Sequence, residues 1–225
     1  MGEAIGQVLS PAVGVAISPI PLIAVILMLA TPHGRANGIA FTVGWVAALT
    51  AAIAVLVAVG AGAGGRDEAA PATWTWWVKL AVGVLFVLLA ARQWRGRPRD
   101  GHDAALPSWM RAVDTFTPLK AAGLAVVLAV VNPKNLALVV AAGVTVAGAA
   151  GGTVDRVVAA AVFVAVASLC ALVPLAVFVF GGSGAADVLA GWKTWMARHN
   201  AAIMTVVLVV LGAKFLGDGI AGLSA

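Results

Sequence analysis

The sequence predicts an all-α polytopic membrane protein with six transmembrane helices, and three observations lead to that fold class. Apolar residues make up 62% of the 225 residues and charged residues only 10%, whereas a soluble domain averages about 45–50% apolar and about 25% charged. The mean hydropathy is +1.05. The apolar residues also form six separate runs. This composition argues against a soluble globular enzyme, and it excludes a disordered chain or a collagen-like fibre.

Each apolar run is long enough to cross a hydrocarbon core of about 30 Å. Backbone polar groups in lipid need internal partners, so only helices or a closed barrel can span it. Barrel strands alternate apolar and polar residues, but runs such as Val78–Ala91 and Ile203–Ala213 do not. We therefore expect six helical spans, in order 4–30, 37–61, 73–92, 119–148, 154–181 and 199–219.

Lysine and arginine are distributed unequally between the two sides of this predicted bundle. The loops after spans one, three and five hold nine of them, whereas the opposite side holds Arg66 and Arg156. Cytoplasmic loops carry the excess of basic residues. The pattern predicts a multi-pass protein of the plasma membrane with loop 93–118 in the cytoplasm and both termini outside. Orientation, rather than nucleic-acid binding, then explains the net charge of +5.

A short motif occurs once in each half of the chain. Span one contains Ser18–Leu22 (SPIPL) and span four contains Asn132–Leu136 (NPKNL), 114 residues further on. Each half has three spans, and an odd number makes the second half enter the membrane from the opposite side. The sequence thus predicts two inverted three-helix repeats, 1–92 and 119–225, joined by a basic linker, 93–118. Many secondary transporters are built in this way.

Both copies of the motif place proline near the middle of a long span. Proline removes a backbone donor and clashes with the preceding turn, so we expect helices one and four to be broken. Paired breaks in corresponding halves are a sequence indication of a transport site. Two kinked helices that only pack together are the alternative. The candidate pathway residues are Ser18, Pro19, Pro21, Asn132, Pro133, Lys134 and Asn135.

Lys134 is the most informative of these residues. A charge near the centre of a span costs about 2.5–3.5 kcal/mol on insertion scales, and no span has an Asp or Glu near its centre. We expect its ammonium to pair with carbonyls freed at the breaks or with an anionic substrate group. A purely structural role remains open. Lys79 and Lys214 lie nearer span ends, where snorkelling is expected.

The chain has no recognisable metal, cofactor or catalytic motif. It contains one cysteine, Cys170, and three dispersed histidines, which make no metal-ligand cluster. Residues 60–65 satisfy GxGxxG but follow a membrane span rather than a strand, so dinucleotide binding is rejected. We predict no cofactor, no metal and no catalytic residue. In the linker region, Arg95, Arg97 and Arg99 can contact anionic head groups; the alternative is that they only determine the orientation in the membrane.

The Ser18–Pro21 and Asn132–Asn135 stretches resemble those of the glycopeptidolipid- and sulfolipid-addressing membrane proteins of actinobacteria, a family placed in the lysine-exporter superfamily. The resemblance covers essentially the whole chain. It implies a plasma-membrane protein that helps to move envelope glycolipids or their precursors outward. It also implies that the proline-break residues form the core of the pathway.

Four functions follow as hypotheses. The first is export of an anionic or acylated envelope lipid around the two breaks. The others are a small-solute exporter of the lysine-exporter type, an accessory scaffold of a lipid-synthase or exporter complex, and a membrane acyl-transfer protein that uses Lys134 as nucleophile. Membrane lipids are the expected partners. Small residues in the spans also allow a homodimer.

Overall fold

The computed structural model describes residues 2–63, 73–96, 113, 115–149 and 152–224. Within these ranges the chain forms helices and no strand. A 3-10 turn at Gly182–Gly184 precedes the last helix. The helices are α1 (Gly2–Ala16), α2 (Pro19–Leu29), α3 (Gly34–Ala63), α4 (Thr73–Arg95), α5 (Pro118–Val130), α6 (Pro133–Ala147), α7 (Thr153–Ala167), α8 (Leu169–Phe180) and α9 (Ala185–Ser224).

The described helices supply up to six membrane spans. Three of them, α3, α4 and α9, are individually long and apolar enough to cross a membrane. The others form bent pairs: α1–α2 at 54°, α5–α6 at 67° and α7–α8 at 56°. Each bend is smaller than a right angle, so the second helix of a pair continues in the general direction of the first. The predicted class, an all-α polytopic membrane protein, is confirmed.

The expected boundaries hold to within a few residues for five spans, but the last helix is much longer than expected. It begins at Ala185 rather than near residue 199 and contains 40 residues, about 60 Å of helix. Lys193 and Arg198, which we assigned to a loop, therefore lie within α9. Hydropathy marks where an apolar run begins, whereas the helix itself starts earlier, in the more polar residues that precede that run.

The breaks in spans one and four follow from the residues that precede proline. A proline disfavours the α conformation at the residue before it. Ser18 has φ −111° and ψ 106°, and Asn132 has φ −64° and ψ 119°, so both are extended. Pro19 and Pro133 then begin α2 and α6, where the missing N–H costs nothing and φ already suits a helix.

The structure contains a third break, in span five, that the sequence did not indicate. In a continuous helix the Ala167 carbonyl would accept from the N–H of Ala171. Here Ala171 donates to the Ser168 carbonyl instead, at 2.9 Å, and Trp45 Nε1 of α3 donates to Ala167 O at 3.4 Å. A side chain that enters the hydrogen-bond ladder bends a helix, and Pro174 weakens the following turns further.

Packing between the two halves of the chain builds the core. The most extensive contacts are between α4 and α9, followed by α3 with α5 and α1 with α7. Phe86 of α4 meets Phe215 of α9 edge to face, with ring centroids 6.0 Å apart. Large apolar side chains such as Leu119 and Phe180 project outward and are more than four-fifths exposed. An apolar exterior over a packed core is typical of a lipid-facing protein.

Candidate functional site

The Lys134 side chain crosses from α6 to the break between α1 and α2. Its Nζ donates to the backbone oxygen of Gly14 at 2.7 Å and to Oγ of Ser18 at 2.6 Å. Lys134 is only 3% exposed. An ammonium group has three hydrogens to donate, and in the described part of the chain two of them have acceptors. One hydrogen remains for another group.

The position of Gly14 explains why this carbonyl accepts the lysine. The last carbonyls of a helix lack intrahelical partners and carry partial negative charge, and Gly14 lies in the final turn of α1. A Cβ at this residue would lie 2.6 Å from Leu211 Cδ1 and 2.9 Å from Leu138 Cδ1. The missing side chain therefore lets α6 and α9 approach α1, which brings Lys134 within reach.

Ser18 and Asn135 extend the contact into a buried polar chain. Ser18 Oγ donates to Asn135 Oδ1 at 3.1 Å, and Asn135 Nδ2 donates to Leu128 O at 3.0 Å. Leu128 is in the last turn of α5, so its carbonyl also lacks an intrahelical partner. The network thus joins the terminal carbonyls of α1 and α5 through two side chains of α6. We name Gly14, Ser18, Lys134 and Asn135 the Lys134 network.

No carboxylate among the described residues balances the Lys134 charge. The acids in the described ranges lie near helix ends, at Glu3, Asp155, Asp187 and Asp218. Hydrogen bonds and the negative end of α1 are the stabilising contacts that the structure provides. The region is therefore a buried, hydrogen-bonded cationic site. Neither do the described residues contain a group of His, Cys, Asp and Glu that could hold a metal ion.

The third break contains a buried hydroxyl that has no partner in the part of the chain that the structure describes. Ser168 is fully buried, and its Oγ has no hydrogen-bond partner within the described ranges. An unpartnered buried hydroxyl costs about 1–3 kcal/mol. Ser168 and Lys134 thus both retain unused hydrogen-bonding capacity.

The structure brings together some of the predicted pathway residues and not others. Ser18, Lys134 and Asn135 are in direct contact. Asn132 is half-buried and caps α6 by accepting from the Lys134 N–H at 3.0 Å. Pro133 is exposed, so its part is to start the helix. The remaining prolines, Pro19 and Pro21, are buried in the first turn of α2.

Among the candidate head-group residues, Arg95 is exposed at the end of α4. Arg97 and Arg99 lie outside the described residues, as does most of the 93–118 linker. The expectation that these arginines contact lipid remains a prediction.

Sequence reasoning missed Gly14, Trp45 and Ser168. Gly14 lies four residues before Ser18, so its carbonyl is the one that Ser18 would use in a continuous helix. That spacing could have indicated it. Ser168 is a polar residue inside an apolar run, which is a weaker indication. Trp45 acts through a contact between distant spans, with no local sequence pattern.

These features define an integral membrane protein whose broken helices meet around a buried cationic network. The chain belongs to the sulfolipid-1-addressing protein family (Sap, SfLAP), because the sequence model of that family matches residues 8–221. The match confirms the family resemblance seen in the residues and links this membrane protein to sulfolipid addressing. No curated protein and no solved structure shows a significant match.

Proposed function

We propose that this protein is a transporter that moves an anionic or acylated envelope lipid, or its precursor, across the plasma membrane. The observation that carries the proposal is the Lys134 ammonium, which is buried between two helix breaks with no described carboxylate beside it. In this mechanism the anionic group of the lipid accepts a hydrogen bond from the Lys134 N–H that has no acceptor among the described residues. Family membership supports a lipid substrate.

The hydrogen bonds around Lys134 suit a site that binds and releases. Anion binding needs donors that are already held in place, and Gly14 O and Ser18 Oγ hold the ammonium from one side. Ser168 Oγ supplies a further donor whose protein partners are absent from the described ranges. A sulfate, phosphate or carboxylate group can accept from both residues. The substrate would thereby satisfy two groups that are costly to leave unpaired.

The packing of the helices supports the inverted repeat on which alternating access depends. If the halves correspond, α5 takes the place of α1 and α7 that of α3. The contact of α3 with α5 then becomes the contact of α7 with α1, and both pairs pack extensively. The α4–α9 pair maps onto itself under the same exchange. Rocking of one half against the other around a fixed site is the usual motion of such repeats.

The test is a deletion strain complemented with wild type, Lys134→Met, Lys134→Arg or Lys120→Met, followed by lipidomics of the outer layer and of the cell interior. Lys120 is an exposed lysine in the same broken span, so Lys120→Met is the matched control. We expect wild type and Lys120→Met to restore the missing outer lipid. Lys134→Met should leave the precursor inside. Lys134→Arg keeps the charge and should restore part of the export.

Four outcomes would overturn the proposal. Unchanged envelope lipids in the deletion strain would exclude lipid transport as the function, and small-solute efflux would become the next assay. Full export by Lys134→Met would show that Lys134 is not part of the transport pathway. If Gln at Arg95, Arg97 and Arg99 abolishes export while Lys134→Met does not, a scaffold role replaces transport. A covalent acyl adduct on Lys134 during turnover would indicate acyl transfer.

A further inference from the structure

A second cationic site lies between α4 and α9, at the end where α4 begins and α9 ends. Lys79 is 6% exposed, and its ammonium stands 4.5 Å from the centroid of the Trp76 ring. It does not snorkel as the sequence suggested. On the neighbouring helix α9, Lys214 Nζ contacts Asp218 Oδ2 of the same helix at 2.6 Å. We name Thr75, Lys79, Lys214 and Asp218 the Lys79 cluster.

The charges of the Lys79 cluster do not balance. Asp218 and Lys214, both on α9, are the charged side chains that act on Lys79. Two ammonium groups therefore share one carboxylate, and that carboxylate is already in contact with Lys214. The described residues offer Lys79 no hydrogen-bond acceptor, only the face of Trp76, and a cation–π contact is worth about 0.5–2 kcal/mol. One positive charge remains for an external anion.

Thr75 supplies an independent observation in the same place. It lies one helical turn before Lys79 on the same face of α4, and it is 5% exposed. Its Oγ1 has no hydrogen-bond partner in the described part of the chain. Thr75 also belongs to the first turn of α4, where backbone N–H groups lack intrahelical acceptors. A cation, an unpartnered hydroxyl and a helix N-terminus therefore lie together near the start of α4.

The depth of the cluster favours a lipid over a soluble anion. Lys79 lies about 9 Å from the start of α4, and Asp218 about 9 Å from the end of α9, at 1.5 Å per residue. Both α4 and α9 are long and apolar enough to span a membrane, so the cluster lies in the part of the molecule that lipid surrounds rather than in a loop.

We propose that the Lys79 cluster binds the phosphate- or sulfate-bearing head group of one anionic membrane lipid. The head group accepts from Lys79 and Thr75, while Lys214 and Asp218, each about one-third exposed, border the entrance. The acyl chains of that lipid extend into the surrounding bilayer. This inference does not depend on the proposed transport, because the Lys134 network is formed by α1, α2 and α6.

The test titrates the purified full chain in detergent with short-chain phosphatidylglycerol, short-chain phosphatidylcholine or sodium phosphate. Bound lipid is counted by native mass spectrometry, and the shift in Tm gives the affinity. We expect wild type to bind one phosphatidylglycerol more tightly than phosphatidylcholine. Thr75→Val and Lys79→Gln should each weaken this binding about tenfold, because each removes one hydrogen bond to a charged group.

Lys193→Gln is the matched control, since Lys193 is a lysine near the other end of α9, and it should leave the affinity unchanged. Phosphatidylglycerol binding that Lys134→Met removes and Lys79→Gln leaves intact would place the lipid at the Lys134 network and overturn this inference, which separates it from the transport proposal. Thr75→Val removes a hydroxyl that has no described partner, so it should fold even where Lys79→Gln does not. Equal binding of the two lipids, unchanged affinity in Thr75→Val and Lys79→Gln, or displacement of the lipid by equimolar phosphate would each overturn the inference.

Discussion

Lys134 carries a charge whose burial is energetically unfavourable, and its hydrogen bonds offset part of that cost. Burying its charge near mid-span costs about 2.5–3.5 kcal/mol, and no described carboxylate offsets that cost. The ammonium instead satisfies the free carbonyl of Gly14, which would itself cost about 1–3 kcal/mol if it were left unpaired. The lysine and the broken helix therefore stabilise each other. An anion is the one partner that would improve the balance further.

Our first prediction concerns the stability of Lys134→Met. Replacing a buried ion by an apolar side chain of similar size is often neutral or stabilising, whereas Gly14 O loses its partner. We expect the free energy of unfolding to change by less than about 2 kcal/mol, measured by denaturant unfolding of the purified protein. Loss of folding in Lys134→Met, with Lys120→Met unaffected, would show that Lys134 is mainly structural.

Our second prediction concerns Ser168→Ala. The Ser168 hydroxyl is buried without a described partner, so its removal should leave stability unchanged or raise it by up to about 2 kcal/mol. Lipid export should nevertheless fall. Thr145→Val is the control, because the Thr145 hydroxyl already donates to Ala141 O of its own helix. A Ser168→Ala protein that is less stable, or that exports at the wild-type rate, would contradict this role.

At the scale of elements, local chemistry determined two breaks and a tertiary contact determined the third. Ser18 and Asn132 are extended because proline follows each of them, and that rule can be applied to a sequence directly. The break at Ser168 depends on Trp45 of α3, whose indole N–H donates a hydrogen bond to the Ala167 carbonyl. The donor lies 122 residues before its acceptor, so no sequence window could contain both.

Our third prediction tests the close contact of α4 with α9. A Cβ at Gly83 would lie 2.8 Å from the backbone nitrogen of Leu216 and 3.1 Å from Gly212 O. Gly83→Ala should therefore destabilise the protein by about 1–3 kcal/mol through overpacking, although alanine favours a helix by about 1 kcal/mol. The measurement is the shift in Tm of the purified protein.

Gly217→Ala is the control for this contact, because no atom lies within 4 Å of a Cβ built at Gly217 on the same helix pair. We expect Gly217→Ala to be neutral or stabilising by up to about 1 kcal/mol. Equal stability changes in Gly83→Ala and Gly217→Ala would mean that α4 and α9 do not pack as closely as described.

At the scale of the whole molecule, the orientation of the protein in the membrane is a prediction from the sequence alone. The excess of basic residues predicts loop 93–118 inside and both termini outside. The described helices do not test this, because a bundle has the same internal contacts in either orientation.

Our fourth prediction is the labelling pattern of single cysteines introduced into two loops. Cys170 is the only native cysteine and is buried, so background labelling is low. On intact cells a membrane-impermeant maleimide should label Glu68→Cys but not Ser108→Cys. After permeabilisation it should label both. The reverse pattern on intact cells would show that the topology is the opposite of the predicted one.

The sequence by itself determined the fold class, the number of apolar spans, the breaks at Ser18 and Asn132, and the family. These properties follow from composition, from proline and from short motifs, all of which act within a few residues. Only the tertiary structure decided which carbonyl receives Lys134, that Ser168 is left unpartnered, and that Lys79 is buried where α4 packs against α9. Each of these depends on the approach of helices distant in sequence, and that approach is set by packing across the whole bundle.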